Sequence, residues 1–105
     1  MLTVLMSCYN NEDYLEEAIQ SVLCQTHQDF EFLIVNDGSA DRTLEICRKF
    51  EAIDNRIRVI THENWGASPA LNHAAAQAKG EWIFRMDPDD VMMPNRIERQ
   101  LKFVC

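Results

Sequence analysis

The chain has 105 residues, of which 47% are apolar and 26% are charged, a composition that indicates one small globular domain or part of a larger one. Its formal net charge of −7 disfavours nonspecific binding to the phosphate backbone of nucleic acids. No apolar run approaches the ~18 residues that span a bilayer. A strand-like run follows Met1 directly, so we expect no signal peptide.

The four cysteines (Cys8, Cys24, Cys47 and Cys105) form no C-x-x-C pair and have no histidine at zinc-finger spacing. The first three fall within apolar patterns, so we expect them to be small core residues. Unpaired thiols are typical of a reducing compartment, and the sequence therefore predicts a cytoplasmic protein.

Strand-like and helical patterns alternate along the chain. Apolar runs predict strands over 2–10, 30–39, 56–62 and 81–86, and helical spacing predicts helices over 11–26, 41–52, 68–80 and from Pro94 onward. This alternation predicts an α/β fold with right-handed crossovers and a mostly parallel four-stranded sheet flanked by helices.

Two helices carry boundary signals. Asp41 or Ser39 is expected to cap the second helix, and Ser68 the third, with Pro69 as its first helical residue. Gly80 is expected to end the third helix in the left-handed conformation.

Polar clusters follow three of the four predicted strands. S-C-Y-N ends the first strand, N-D-G-S the second and D-P-D-D the fourth. Ligands of parallel α/β sheets bind at the carboxyl ends of the strands, which lie at one edge. The sequence therefore predicts one site built from three separate stretches.

The third cluster places Asp87, Asp89 and Asp90 within four positions. Asp87 and Asp89 are two residues apart and can point the same way, with Pro88 stiffening the turn. Converging carboxylates suit a hard divalent cation, Mg²⁺ or Mn²⁺. The alternative is a solvated turn that caps the following helix.

The other clusters have both a binding and a structural interpretation. Tyr9 is placed to stack on a base or to pack under a loop, and Asn10 is a turn former. Asp37 precedes Gly38, which allows close approach of a ligand or makes a β-to-α turn with the aspartate as acceptor. Asn72 on the third helix is placed to hydrogen-bond a ligand at the same edge.

Several nucleotide-binding and hydrolytic motifs are absent from the sequence. It has no G-x-G-x-x-G after the first strand, no G-x-x-x-x-G-K-[ST] and no G-x-S-x-G. A phosphatase with an aspartyl nucleophile would have its D-x-D after the first strand rather than the fourth. A nucleotidyltransferase would have a glycine-rich basic loop where this chain has S-C-Y-N-N-E-D.

Taken together, these stretches resemble the family 2 glycosyltransferases of the GT-A fold. The resemblance rests on VLMSCYNNEDYLEEAIQSVLCQT, FEFLIVNDGSADRT, NWGASPALNHAAAQAKGEWIFRMDPDD and MPNRIERQ, and it covers essentially the whole chain. It implies a Rossmann-like half of the GT-A fold with strand order 3-2-1-4.

The resemblance also implies roles for single residues. Tyr9 would stack on the nucleotide base with Ser7 nearby, and Asp37 would accept a hydrogen bond from the base. Asp87 would lie near the ribose and the metal, and Asp89 would be the main protein ligand of Mg²⁺ or Mn²⁺. The full set of implied substrate-binding residues is Ser7, Tyr9, Asn10, Asp37, Gly38, Asn72 and Asp87.

The implied activity is an inverting hexosyl transfer in polysaccharide biosynthesis. The donor would be a nucleotide-diphospho-sugar, most often a UDP-sugar, and the acceptor a hydroxyl of a sugar or lipid-linked glycan. A divalent cation would stabilise charge on the leaving phosphate, and a general base would take the proton of the acceptor. The expected location is the cytoplasm, or the cytosolic face of the membrane in a longer protein.

Three features depart from the family pattern. Leu71 stands where a basic residue is frequent, and Arg85 stands where apolar residues are usual. The acceptor-binding half and the general base would lie beyond Cys105, so residues 1–105 are expected to be a truncated nucleotide-sugar-binding domain that is inactive alone. Strand 81–86 would then expose an apolar edge through which the fragment self-associates.

Three alternative functions stay open at this point. The chain is a non-catalytic module that binds nucleotide-sugar or metal, a nucleotidyltransferase, or a structural α/β domain whose acids only form turns. The first differs from the transferase in whether a general base and an acceptor site exist further along a longer polypeptide.

Overall fold

The computed structural model describes residues 2–63, 67–80, 82–87 and 96–97. Its elements, in chain order, are β1 (Leu2–Cys8), α1 (Leu15–Leu23), β2 (Phe30–Asp37), α2 (Thr43–Ile53), β3 (Ile57–His62), α3 (Ala67–Gln77) and β4 (Trp82–Met86). The helix predicted from Pro94 lies outside the described residues except for Arg96 and Ile97, which are helical. No helix in the described part of the chain is long and apolar enough to cross a membrane.

The four strands form one parallel sheet in the order β3-β2-β1-β4, which confirms the predicted order. Cys8 lies opposite Asn36 of β2, and Met6 lies opposite Met86 of β4. The carboxyl ends of β1, β2 and β4 are therefore nearly level, and whatever follows them emerges at the same edge.

Helices cover both faces of the sheet. On one face, alternate strand residues such as Val4, Met6 and Phe32 pack with α1 and α2 in the larger core cluster. On the other face, Leu5, Leu33 and Val35 pack with Ala74 of α3. Burial on both faces explains why β1 and β2 are continuous apolar runs rather than alternating ones.

The buried faces of α1 and α2 form part of the core. α1 buries Leu15, Ala18, Ile19 and Val22, and α2 buries Thr43, Cys47 and Phe50. α1 begins four residues later than predicted, because Asn11–Tyr14 form a turn in which the Asn11 carbonyl accepts hydrogen bonds from the N–H groups of Tyr14 and Leu15.

The junction between α3 and β4 corrects two predictions. α3 starts at Ala67, so Ser68 and Pro69 lie inside its first turn, and it ends at Gln77, three residues before Gly80. Gly80 does not have a positive φ. It is required because a Cβ there would lie 2.5 Å from the carbonyl carbon of Leu2 and 2.6 Å from the nitrogen of Thr3.

A set of hydrogen bonds that we term the basal network surrounds Gly80 at the amino edge of the sheet. Thr3 Oγ1 accepts from Gly80 N at 3.0 Å and donates to Glu31 Oε1 at 2.7 Å, and Glu31 Oε1 also accepts from Lys79 N at 2.5 Å. Burial raises the pKa of Glu31, but the hydrogen bonds from Lys79 and Thr3 outweigh it and lower that pKa overall.

The cysteines follow the prediction in part. Cys8 and Cys47 are buried in the larger core cluster, where the hydrogen bond to the Cys47 thiol, together with burial, raises the pKa of Cys8 well above its usual value. Cys24 is exposed, which contradicts the prediction, because it follows the last turn of α1 rather than lying on its buried stripe. Cys105 lies outside the described residues.

A buried glutamine connects α1 to the segment that follows β4. Gln25 Oε1 accepts from Ile97 N at 3.1 Å, and Gln25 Nε2 donates to the Ser21 carbonyl at 3.0 Å. Ile97 is fully buried in the larger core cluster. Ile97 therefore packs on the same face of the sheet as α1 and α2.

Candidate functional site

Most of the predicted site residues lie at the carboxyl edge of the sheet. Ser7 is half-buried near the end of β1, Tyr9 follows β1, Asp37 ends β2, and exposed Asp87 follows β4. Since β1 lies between β2 and β4, the backbone of Tyr9 emerges between those of Asp37 and Asp87. Asp89 and Asp90 lie outside the described residues, so their predicted role stays a prediction.

Asp37 is a carboxylate withdrawn from solvent, with 3% of its surface exposed. It alternates along β2 with Leu33 and Val35 and so belongs to the α3 face, as does Ser7 by its alternation with Leu5. Asn72 lies on α3, where it is exposed. Gly38 follows Asp37 with φ 72°, a left-handed conformation that suits glycine.

Tyr9 presents an aromatic ring directly after β1, the strand that lies next to β2 and its buried Asp37. Its side chain is 47% exposed, which is high for a large apolar residue. The next residue, Asn10, has φ 52°, so the chain turns sharply just after Tyr9. The N–H of Tyr9 donates to Asn11 Oδ1 at 2.7 Å, which fixes the main chain that carries the ring.

Five hydrogen bonds join the loop after β1 to the loop after β2 and to the first residue of α2, and we term them the loop clamp. They are Asn10 N to Ser39 Oγ (3.0 Å), Ala40 N to Asn10 Oδ1 (2.8 Å), Asn11 N to Thr43 Oγ1 (2.8 Å), Glu12 N to Asp41 Oδ2 (3.3 Å) and Arg42 N to Glu12 Oε2 (3.3 Å). Asn10, predicted as a substrate-binding residue, has its side-chain oxygen engaged within this clamp.

Asp41 lies just before α2, whose N-cap residue is Arg42 and makes no side-chain capping hydrogen bond. Asp41 Oδ1 accepts from the N–H of Thr43 at 2.9 Å and from the Thr43 hydroxyl at 2.5 Å, whereas Ser39 accepts from Asn10. Burial raises the pKa of Asp41, but the hydrogen bonds from Thr43 and from the N–H of Glu12 outweigh it and lower that pKa overall. The prediction that Asp41 or Ser39 caps α2 is therefore wrong, because Arg42 occupies the N-cap position and Asp41 precedes it.

Asn36 is a buried polar residue that the sequence pattern did not single out. It is 2% exposed, and its Nδ2 donates to Thr61 Oγ1 at 3.0 Å. Within the described ranges, Asn36 Oδ1 is a buried side-chain oxygen without a hydrogen-bond partner. The bond to Thr61 fastens the end of β2 to β3 directly before Asp37.

The acidic stretch after β4 is described only at its first residue. Among the residues described, no group of three or more histidine, cysteine or acidic side chains is arranged to hold a metal ion. Asp87 offers an exposed carboxylate at the end of β4. Arg85, which departs from the family pattern, is exposed on β4 opposite Leu5, so its charge is not buried.

Comparison with known sequences gives one family. The model of the family described as Glycosyl transferase family 2 matches residues 3–105. Curated relatives include the putative teichuronic acid biosynthesis glycosyltransferase TuaG of Bacillus subtilis, 39% identical over 105 residues, and the glycosyltransferase GlyG of Streptococcus pneumoniae, 42% identical over 99 residues. These alignments cover 99% and 93% of this chain but 42% and 33% of the relatives, so the chain spans less than half their length.

Solved structures with the same fold have bound nucleotides. S. aureus TarS 1–349 in complex with UDP matches with a TM-score of 0.82 and 28% identity, over 98% of this chain and 31% of that 1–349 chain. The mannosyltransferase PcManGT of Pyrobaculum calidifontis, in complex with GDP-Man and Mn²⁺, matches with a TM-score of 0.82 and 26% identity, over 90% of this chain and 29% of that enzyme.

Proposed function

The chain belongs to glycosyltransferase family 2 and has the GT-A fold, and from this we propose that it carries the donor site of a sugar transferase that uses a UDP-sugar. One observation carries the proposal: exposed Tyr9 directly follows β1 and buried Asp37 ends the adjacent strand β2, both at the ligand-binding edge of this fold. The UDP complex of similar TarS supports the choice of nucleotide.

In the proposed site, Tyr9 and Asp37 recognise the base together. Stacking of a base on an aromatic ring contributes about 1–3 kcal/mol, and an exposed ring is available for it. A carboxylate that is already withdrawn from water accepts a charge-assisted hydrogen bond from a base N–H. Ser7 and Gly38 lie at the same edge, and Asn72, exposed on α3, stays a predicted contact of the donor.

A divalent cation fits the residues that follow β4. The donor set consists of oxygen ligands, with Asp87 at the strand end and Asp89 as the proposed main ligand, and such ligands suit Mg²⁺ or Mn²⁺. With a net charge of −7, the chain would otherwise repel a diphosphate. When bound, the cation would stabilise the charge on the leaving diphosphate. The Mn²⁺ complex of similar PcManGT supports this assignment.

The rest of the reaction is proposed from the family. An acceptor hydroxyl, on a sugar or lipid-linked glycan, would displace the nucleotide with inversion, assisted by a general base. Cytosolic placement stays a prediction. The second candidate is a binding module that holds nucleotide-sugar or metal without turnover, and it differs from the first in whether a general base and an acceptor site exist in a longer polypeptide.

The test is a calorimetric titration of UDP into the 105-residue chain, with Mn²⁺ and with EDTA. We expect binding that needs Mn²⁺ and that weakens at least about tenfold, or ~1.4 kcal/mol, in Asp89→Ala and in Asp37→Ala. Asp29→Ala, an exposed aspartate before β2 at the opposite edge, is the matched control and should bind as the original chain does.

Other outcomes would reject parts of the proposal. If UDP binds equally well with Mn²⁺ and with EDTA, the donor site does not use a cation to bind the nucleotide. Tighter binding of GDP than of UDP would mean that the donor is a GDP-sugar rather than a UDP-sugar. A folded chain that binds neither nucleotide would reject the donor site in this chain.

A further inference from the structure

We propose that Asp41, Thr43 and Asn11 are positioning residues that orient Tyr9 for the nucleotide base without themselves touching the donor. The inference rests on the proposed function, because it assigns a purpose to the loop clamp only if Tyr9 contacts a base. It is carried by a continuous series of hydrogen bonds that leads from Asp41 to the main chain of Tyr9.

The direction of each hydrogen bond in this series is fixed by chemistry. The Thr43 hydroxyl has one proton, which it donates to Asp41 Oδ1 at 2.5 Å. Its oxygen is therefore oriented to accept from Asn11 N at 2.8 Å. The side chain of the same Asn11 accepts from Tyr9 N at 2.7 Å. Asp41 thus acts on Tyr9 through two intermediate residues.

Burial of Thr43 makes it hard for water to take the place of its hydroxyl in this series of hydrogen bonds. Thr43 is fully buried, so removing its hydroxyl takes away the acceptor of Asn11 N, whereas Asp41 Oδ1 keeps its hydrogen bond from the N–H of Thr43. Asp41 also accepts from Glu12 N at 3.3 Å, which keeps the following turn in place.

A second part of the loop clamp restrains the residue between Tyr9 and Asn11. Asn10 has φ 52°, a conformation that L-residues seldom adopt and that asparagine tolerates better than most. Its N–H and its Oδ1 are held by Ser39 and Ala40 of the other loop. The N–H groups of the three residues that follow Tyr9 are therefore all bonded: Asn10 to Ser39, Asn11 to Thr43 and Glu12 to Asp41.

The chain contains a chemically matched control for Thr43. Thr3 is also fully buried, also accepts from a backbone N–H and also donates to a carboxylate, but it lies in the basal network at the opposite edge of the sheet. Thr3→Val and Thr43→Val remove the same groups from equally buried sites. A loss of stability is expected from both, and a loss of nucleotide affinity only from Thr43→Val.

The experiment compares the original chain with Thr43→Val, Thr43→Ser and Thr3→Val by urea unfolding and by titration with UDP and Mn²⁺. We expect Thr43→Val to weaken UDP binding by about tenfold, within the roughly 5- to 150-fold that base stacking contributes. Thr43→Ser keeps the hydroxyl and should bind within about threefold of the original chain. Thr3→Val should bind UDP unchanged. In a Tyr9→Ala background, Thr43→Val should cause no further loss.

Amide hydrogen exchange without ligand gives a second readout. The N–H groups of Tyr9 and Asn11 should lose protection in Thr43→Val and keep it in Thr3→Val. If Thr43→Val does not fold, Asn11→Ala removes the acceptor for Tyr9 N directly, and Asn11→Asp retains an oxygen there. Asn11→Ala should then weaken UDP binding, and Asn11→Asp should not.

Failure of the inference is distinguishable from failure of the proposed function. If the original chain binds no UDP, the donor site is rejected and the positioning role with it. If the original chain binds UDP, the inference alone is overturned by equal affinities of Thr43→Val and the original chain, by an equal loss of affinity in Thr3→Val, or by additive losses in the Tyr9→Ala background.

Discussion

Glycine is required at position 80 because there is no space for a side chain, and not because of its backbone conformation. Its nitrogen donates to Thr3 Oγ1, and its α-carbon lies so close to β1 that a Cβ would contact Leu2 and Thr3 main-chain atoms. Atoms of a central strand have no freedom to move aside, because β1 is bonded to β2 and β4 on its two edges.

Gly80→Ala is therefore expected to destabilise the fold by about 1–3 kcal/mol, as overpacking does in well-packed cores. Urea unfolding measures this change. Lys79→Ala is the matched control, since Lys79 is exposed and contributes its N–H to the basal network, and it should change stability by less than about 0.5 kcal/mol. Equal stabilities of Gly80→Ala and Lys79→Ala would mean that the sheet adapts to the extra carbon.

Single residues were predicted correctly where burial pattern decides their role. Cys8 and Cys47 fall on buried positions of a strand and a helix, and both are in the core. The prediction that Cys24 is a core residue was wrong, because Cys24 lies one residue beyond the end of α1. Gly80 was assigned the wrong reason, because close approach of two chain segments 77 residues apart leaves no local signal.

At the scale of elements, Arg56 connects the end of α2 with the beginnings of β2 and β3. Its guanidinium pairs with Asp54 at 2.9 Å, donates to Gln28 Oε1 at 2.8 Å and lies 4.6 Å from the centre of the Phe30 ring. The Asp54 and Arg56 side chains are 20% and 22% exposed, so this pair is less screened than an open surface pair.

The Asp54–Arg56 pair makes stability depend on pH. The hydrogen bond from Arg56 is the main cause that lowers the pKa of Asp54, against the opposing effect of burial. A lowered folded-state pKa stabilises the fold above the unfolded-state value of about 3.9, and this stabilisation is lost as pH falls through the folded-state value. Asp54→Asn should cost about 1–2 kcal/mol at pH 7, and its deficit should shrink below about pH 4.

Urea unfolding of the original chain and Asp54→Asn across that pH range checks this expectation. Glu45→Gln is the control, because the Arg42–Glu45 pair has the same charges but its side chains are 71% and 68% exposed. Glu45→Gln should change stability by less than about 0.5 kcal/mol at either pH. A pH-independent deficit in Asp54→Asn would mean that the pair stabilises through packing rather than charge.

The elements themselves were predictable, and their connections were not. Strands buried on both faces and amphipathic helices give periodic signals, so all seven described elements and the sheet order agree with the sequence analysis and the family resemblance. The loop clamp joins polar residues about 30 positions apart, and polarity alone does not reveal which atoms pair. The same limit explains why α1 was predicted to begin at residue 11, where Asn11 instead bonds to Tyr9 and Thr43.

At the scale of the whole molecule, β4 is an edge strand in the described sheet and carries apolar side chains. Trp82 is 45% exposed and Ile83 46% exposed, next to the exposed Arg85. An exposed apolar edge strand offers unpaired backbone groups and apolar area to another chain. The predicted self-association of this chain through β4 is supported by this exposure.

Sedimentation velocity over a range of concentrations tests the self-association. We expect a concentration-dependent dimer whose Kd rises at least about tenfold, or ~1.4 kcal/mol, in Ile83→Lys, because a charge on an edge strand opposes pairing. Ile53→Lys places the same charge at the end of α2, where Ile53 is 71% exposed, and should leave the dimer unchanged. A monomer at every concentration would contradict the prediction.

The strand order also has a consequence for synthesis of the protein on the ribosome. β1 is made first, yet it becomes the strand between β2 and β4, and β4 is made last of the four. At about 5–20 residues per second, one side of β1 stays unpaired for roughly several seconds after β2 has been made. During that interval the nascent chain exposes unpaired backbone groups of a mostly apolar strand, which is the kind of extended apolar segment that chaperones capture.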